Sequence, residues 1–248
     1  MKECAFCDHT GKLSAEHIAS QWMKDLFPGR KTAWFSSDNV KEKRQFETDS
    51  MDWTAKVVCK SCNEGWMSRI ECEHAMPALT PLITGQSNIS IDHERAHSIS
   101  LFAFKTAVIM DHQQRRDAGP FFSKRIRHAF RLHHAIPSNV NMWFCGYKGN
   151  RGNGQFKTAY MKGQNSPSNH WLMYVCTCAI GHFVFQLLAV KQVGNARFRP
   201  SGGFEGMGVP FWPHVPRDYV WPPPFALDGL NQFEKFSDRW QTVERIGD

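Results

Sequence analysis

Apolar residues fall at helical spacing in some stretches of this chain and in strand-like runs in others. Ile18, Trp22, Met23, Leu26 and Phe27 recur at the helical interval, and Pro28-Gly29 ends that short helix. Strand-like segments follow at 32–35, 44–47 and 53–58. Cys62 opens a helix that runs to the neighbourhood of Glu71 and carries Trp66, Met67 and Ile70. The pattern breaks near 75–90, where Met76-Pro77, Pro81 and Gly85-Gln-Ser-Asn punctuate the chain. A helix over 94–111 comes next, with Ile99, Phe102, Phe104, Ala107, Val108 and Ile109 among its apolar positions. A second, over 121–134, puts Phe122, Ile126, Ala129 and Phe130 on one side, and Lys124, Arg125, Arg127, His128 and Arg131 on the remainder. Strands at 141–147, 156–161, 171–177 and 182–191, several joined by short Gly-rich turns, predict an antiparallel meander. The tail 202–224, rich in Gly, Pro and Trp, reads as a surface wrap, and a last helix covers 230–243.

The chain has 248 residues, enough for one large domain or two small ones. The break divides it into an expected first domain, 1–75, and an expected accessory domain, 90–248. Hydrophobic residues make up 42%, an ordinary share for a globular protein. The net charge of +7 favours an anionic partner, nucleic acid first. The opening residues lack the apolar stretch of an export signal, and no run of apolar residues is long enough to predict a membrane span. Four of the eight Cys sit in paired Cys-x-x-Cys turns, while Cys72, Cys145, Cys176 and Cys178 are scattered. Without an export signal, this usage predicts bound zinc and free thiols in a reducing cytosol.

Those turns are Cys4-Ala-Phe-Cys7 and Cys59-Lys-Ser-Cys62. A Cys-x-x-Cys turn aims two sulfurs at one ion, so Cys4, Cys7, Cys59 and Cys62 complete a tetrahedral zinc shell. The chain between Asp8 and Val58 must return to its start for this, and strands at 32–35 and 53–58 are the expected return. Between the turns lies Glu16-His17, and Asn63 directly follows the second. Adjacent residues on an extended segment point opposite ways, so one of Glu16 and His17 can bind a metal while the other faces water. The same pair also suits a helix start, with Ser14 or Ala15 near the cap and Glu in the first turn.

Taken together, Cys4-x-x-Cys7, Ser14-Ala-Glu16-His17-Ile18 and Cys59-x-x-Cys62-Asn63 resemble the HNH endonucleases, whose core is a ββα-metal fold; the resemblance covers residues 1–72. It implies a zinc-stabilised HNH domain, and the helices and meander read after it make the expected chain α+β, with a second, mixed domain of helices packed on an antiparallel sheet. It implies that His17 is the general base, that Glu16 and Asn63 ligate a catalytic Mg²⁺ or Mn²⁺, and that Asn39 orients the histidine. The implied activity is a metal-dependent endonuclease or nickase on DNA, with RNA kept open, leaving a 5′-phosphate and a 3′-hydroxyl. Restriction or anti-phage defence is the implied setting. Residues 90–248 would then serve substrate, an accessory protein or a homo-oligomer. The chain departs from the family one turn beyond Asn63, where Trp66 and Met67 stand in place of His or Lys. A non-catalytic, zinc-containing nucleic-acid-binding module is the alternative. Lys12 and Arg69 are candidates to hold the scissile strand, and Glu71, two turns beyond Asn63, is either a water-mediated metal contact or a helix-surface carboxylate.

Other constellations have plainer explanations. His9, just past the first Cys turn, could replace a zinc ligand, but four Cys suffice and it reads as a surface residue; His93, His97, His133 and His134 lack an acidic or Cys partner at defined spacing and read as surface or cap residues. The run Gly149-Asn-Arg-Gly152-Asn-Gly154 reads as a hairpin turn. Cys176 and Cys178 face the same side of a strand as buried thiols. The basic helix 124–131 is either a phosphate-tracking surface or a solvated face, and Trp221-Pro-Pro-Pro224 is either a polyproline ligand or part of the wrap.

Overall fold

Near-continuous apolar strands, buried on both faces, build one large sheet in a computed structural model, which describes residues 2–27, 32–38, 43–48, 51–114, 119–149, 153–166, 169–193, 198–200, 203–214 and 219–240. The fold is mixed α+β. Near the start, β1 (Ser14–His17) precedes a short helix α1 (Gln21–Asp25) and three strands, β2 (Thr32–Asp38), β3 (Lys43–Thr48) and β4 (Thr54–Val58). Strand β1 pairs antiparallel with β4, His17 opposite Thr54. The Glu16-His17 pair therefore lies on a strand and not at a helix start.

Helical chain then runs from α2 (Lys60–Cys62) through two π-helical segments, Asn63–Met67 and Ile70–Ala75, into α3 (Met76–Ile83). The prolines at 77 and 81 do not end it, contrary to the sequence reading. Pro77 occupies the first turn of α3, where its missing N–H costs nothing. Pro81 offers no donor to the carbonyl four residues back. The Arg95 guanidinium meets that Pro77 oxygen at 3.5 Å and donates to Ala78 O at 2.8 Å.

After β5 (Ile89–Ile91) comes α4 (His93–Gln113), capped by the Asp92 side chain, which accepts from Arg95 N. Helix α4 is buried almost all round from Ala96 to Asp111. It packs against the second π-helical segment, α3, β4 and strands of the large sheet, so it is the spine between the cysteine-bearing region and the sheet. Helix α5 (Lys124–His133) follows, and His134 ends it in the left-handed conformation, φ 52°.

The meander β6 (Val140–Tyr147), β7 (Asn153–Ser166), β8 (Asn169–Ile180) and β9 (Phe183–Val193) is longer than its sequence pattern indicates. Gly181, at φ +59°, makes the β8–β9 turn. A Cβ there would stand 2.3 Å from the Ile83 carbonyl oxygen, so the backbone approach itself demands glycine. With β10 (Val209–Trp212), the sheet order is β10-β6-β9-β8-β7-β2-β3. Two pairings are parallel: β2 with β7, and β12 (Ala226–Leu227) with β6. The sheet is thus mixed, not purely antiparallel.

Of the two strands expected to return the chain to the first Cys turn, β4 makes the return, whereas β2, with β3, extends the far edge of the large sheet. Phe35 on β2 stacks on Phe156 of β7 at 5.0 Å, which couples the inserted hairpin to the meander. The tail is not only a surface wrap. Strand β11 (Tyr219–Trp221) pairs with β5, and Phe211 and Trp221 are core residues. The last helix, α6 (Gly229–Ser237), is followed by Arg239 and Trp240, which bond to the buried Gln186 Oε1 at 2.7 and 2.8 Å. A continuous apolar core runs from Cys4 and Ala5 through α4 to the sheet. No helix among the described residues is long and apolar enough to cross a membrane.

Candidate functional site

The four sulfurs of Cys4, Cys7, Cys59 and Cys62 all lie within 4.8 Å of one another, and among the described residues no other group of three or more Cys, His, Asp or Glu converges in this way. Cys7 to Cys59 is 3.6 Å and Cys62 to Cys7 is 3.8 Å. These are not disulfides, whose sulfurs stand about 2.05 Å apart. A tetrahedron of thiolates about 2.3 Å from a zinc ion has edges of roughly 3.8 Å, so the cluster has the size of a zinc shell.

Local backbone makes this possible. Ala5 N donates to Val57 O at 2.8 Å, which zips the first Cys turn onto the end of β4. Cys59 sits at the N-cap of α2, and its own N–H donates to Cys4 Sγ at 3.3 Å. Phe6 N points at the same sulfur, 3.5 Å away. The hydrogen bond from Cys62, together with these amides, lowers the Cys4 thiol to about 4 against the burial that would raise it, while Cys62 is held protonated above its ordinary value. A cluster that already shelters one thiolate suits a cation.

Helix α5 braces the first turn from outside. Lys124 pairs with Glu3 and with Asp8 (2.7 Å), and Arg127 is buried, donating from Nε to Ala5 O at 2.5 Å and from Nη1 to Phe122 O. Two of the basic residues read as a phosphate surface are thus committed to the protein itself.

Next to the cysteines, β1 presents its residues alternately. Glu16 is buried; the His17 side chain is 32% exposed. Asn63, at the head of the first π-helical segment, reaches across to β1: its Nδ2 donates to Ser14 Oγ at 2.9 Å and to Ala15 O at 3.2 Å. A carbonyl oxygen only accepts, so the amide nitrogen must face β1, leaving Oδ1 as the uncommitted atom. Asn63 and the Glu16-His17 strand are brought together. Asn39 lies outside the described residues.

Three residues here were not singled out from sequence. Asp52, just before β4, places Oδ1 4.0 Å from His17 Nε2, and the same oxygen accepts from Lys24 of α1. The third is Lys105, in the middle of α4. Its side chain is 0% exposed, and its Nζ meets Glu16 Oε1 at 2.7 Å and also Glu71 Oε1. Ser20 Oγ donates to the same Glu71 oxygen at 2.5 Å. Burial opposes the charge on Lys105, but the two carboxylates outweigh it and hold its pKa above the ordinary lysine value. Glu71 is therefore neither a plain surface carboxylate nor free to lean wholly on a metal. Lys105 did leave a signal, as the sole charged residue in the apolar run 96–110. Asp52 left none, because only the β1–β4 register brings it to His17.

Lys12 and Arg69, the candidates to hold the scissile strand, are exposed, as are His9, His93, His97 and His133, which were read as surface or cap residues. His134 caps α5, and its N–H donates to Phe130 O at 2.8 Å. Cys176 and Cys178 are buried on one face, their sulfurs 3.9 Å apart.

The chain matches no protein-family model, no curated protein and no solved structure.

Proposed function

We propose that residues 1–75 form an HNH-type nuclease centre that hydrolyses phosphodiester bonds in nucleic acid, DNA first. The observation that carries this reading is the Asn63 amide bonded to Ser14 and Ala15, on the strand that bears Glu16 and His17 and beside the four-cysteine cluster. Strand, returning strand and helix follow in the order the ββα-metal resemblance implies. The cysteine cluster is assigned a structural zinc, whose role is to tie the amino-terminal turn to α2.

His17 is the general base. Its partly exposed ring takes a proton from water as the water oxygen bonds to phosphorus and the bond to the 3′ oxygen breaks; the departing 3′ oxygen takes a proton from solvent, giving a 5′-phosphate and a 3′-hydroxyl. Asp52 Oδ1, which Lys24 also binds, stands 4.0 Å from Nε2 and orients the ring through its charge, not through a hydrogen bond. The second Glu16 oxygen and Asn63 Oδ1 are hard oxygen donors, of the kind that Mg²⁺ or Mn²⁺ takes. Such an ion, when bound, supplies charge stabilisation at the phosphoryl oxygens. The net charge of +7 is consistent with a polyanionic substrate.

One observation favours the second reading, a nucleic-acid-binding module without catalysis: Glu16 is buried against Lys105, away from the exposed His17 ring. Supercoiled plasmid with Mg²⁺ or Mn²⁺ separates the two. The nuclease reading expects nicking or cutting by the wild type and none by His17→Ala. Equal cutting by both sinks it, and binding that weakens with salt, without any cutting, establishes the module.

A further inference from the structure

We propose that Phe46 is the open end of an aromatic stack that takes one unpaired base of a nucleic acid, an inference that rests on the nucleic-acid reading of the neighbouring site. Phe46 on β3 and Phe156 on β7 both stand opposite Phe35 on β2, one on each side of it. The three rings stack in turn: Phe46 on Phe35 at 5.0 Å and 23°, and Phe35 on Phe156 at 5.0 Å and 13°. Phe35 and Phe156 are buried. Strand β3 is the last of the sheet, so among the described residues no further strand continues the row, and Phe46 is 44% exposed.

This open end is tied to the candidate site. Trp53 meets both outer rings edge on, 4.0 Å from Phe35 at 64° and 5.6 Å from Phe46 at 83°. Its carbonyl oxygen accepts from Ile18 N at 3.0 Å. Its chain neighbours are the two residues that meet His17: Asp52, 4.0 Å from Nε2, and Thr54, opposite His17 in the β1–β4 pairing. Residues 52–54 thus hold the stack with one side chain and the His17 strand with the others.

The size and chemistry of the open ring select its occupant. Phe46 is the sole aromatic among the exposed large hydrophobics of the described residues. An aromatic side chain carries roughly 150–250 Å², so the free part of Phe46 is on the order of 100 Å². A stable protein interface takes about 800 Å² from each partner. One ring matches one base. Every base has a π-face, so the contact tolerates any sequence. A base inside a duplex is stacked on both faces, whereas an unpaired base can be splayed out onto the ring. Successive side chains on a strand alternate, which turns the Glu47 carboxylate to the opposite face, away from a passing phosphate. Losing such a stack is expected to weaken binding by about 5- to 150-fold.

The test uses zinc-loaded, full-length protein without added Mg²⁺ or Mn²⁺. Anisotropy of a labelled single-stranded oligonucleotide gives the affinity, and 2-aminopurine placed within it reports stacking by quenching. A blunt duplex of the same length is the comparison, and thermal midpoints are taken on each variant. Support is weaker single-strand binding and lost quenching in Phe46→Leu, both kept in Phe46→Trp, with duplex binding unchanged in either. Equal single-strand binding by wild type and Phe46→Leu overturns the inference and leaves the ring to a protein contact. Equal weakening on single strand and duplex overturns it too, because the ring then serves only the shape of the sheet edge. Should Phe46→Leu fail to fold, Phe46→Trp must bind the single strand at least as tightly as wild type and quench 2-aminopurine; otherwise the inference fails. Absence of single-strand binding by the wild type at low salt also overturns it, and plasmid cleavage by wild type against His17→Ala then decides separately whether the nuclease reading stands.

Discussion

Arg127 of α5 donates from Nε to the carbonyl oxygen of Ala5, inside the first Cys-x-x-Cys turn, at 2.5 Å. A basic helix from the middle of the chain thereby holds the amino-terminal turn in place. Arg127 also donates to Phe122 O, and burial lowers its own pKa, so its charge is retained at a cost that these carbonyls offset. Arg127→Met is expected to leave both carbonyls unpaired and to destabilise the protein by about 2–4 kcal/mol, read as a lower urea midpoint at unchanged slope. An unchanged midpoint would show that the brace is unimportant.

Removing one cysteine should cost more than removing the brace. With Cys59→Ser, the cluster loses the sulfur 3.6 Å from Cys7, and the amino-terminal turn loses its anchor at α2. The wild type is expected to carry one zinc per chain, and Cys59→Ser to lose it together with helical circular dichroism. A strong chelator should reproduce the mutant's spectrum. Retention of both metal and structure in Cys59→Ser would remove zinc from the folding argument.

His17 and Asp52 should separate activity from stability. Both side chains are partly exposed, 32% and 54%, so neither substitution opens a cavity. His17→Ala is expected to lower cleavage by about 10²–10⁴-fold, the usual scale for a general base. Asp52→Asn, which only weakens the orientation of the ring, should lower it by roughly tenfold. Thermal midpoints should stay close to wild type. If Asp52→Asn cuts as fast as wild type, the carboxylate has no part in orienting His17.

Stability should fall as the solution is acidified below pH 6.5. Burial, then the neighbouring positive groups, depresses His112 and His134 below the ordinary histidine value of 6.5. Between their folded values and 6.5, the unfolded chain binds protons that the folded chain refuses. Unfolding free energy therefore decreases as pH drops through that window and levels off below the folded values. His134→Asn keeps a residue that tolerates the left-handed cap at φ 52° and removes one titrating ring. Urea unfolding at a series of pH values should show a shallower acid slope for the variant; identical slopes would acquit His134.

Much of the fold was legible because it is local. The apolar runs at 171–177 and 182–191, of strand-like length and bounded by turns, marked β8 and β9, and the longer run 99–109 marked α4, since run length and flanking turn residues separate strand from helix where both faces are apolar. The two Cys-x-x-Cys turns announced their shared cluster because thiolate chemistry at fixed spacing has few other uses. Misreadings arose where tertiary contacts overrode local signals. Pro77 and Pro81 read as a boundary, yet Arg95, brought by the next helix, reaches the carbonyls the helix leaves open there. Strand β2 was read correctly as a strand but placed on the return to the first Cys turn and not on the large sheet, because nothing in a strand's own sequence names its partner.

The sequence by itself determined the longer helices and strands, the four cysteines that converge and the adjacency of Glu16 and His17, because each is written in residue type and short-range spacing. Only the tertiary structure decided that Glu16 turns inward to Lys105 and Glu71, that Asp52 comes to face His17, and that Arg127 grips the amino-terminal turn. Those contacts join residues tens of positions apart, and the register of β1 on β4 and the docking of α4 and α5 on a common core set them, not any local preference.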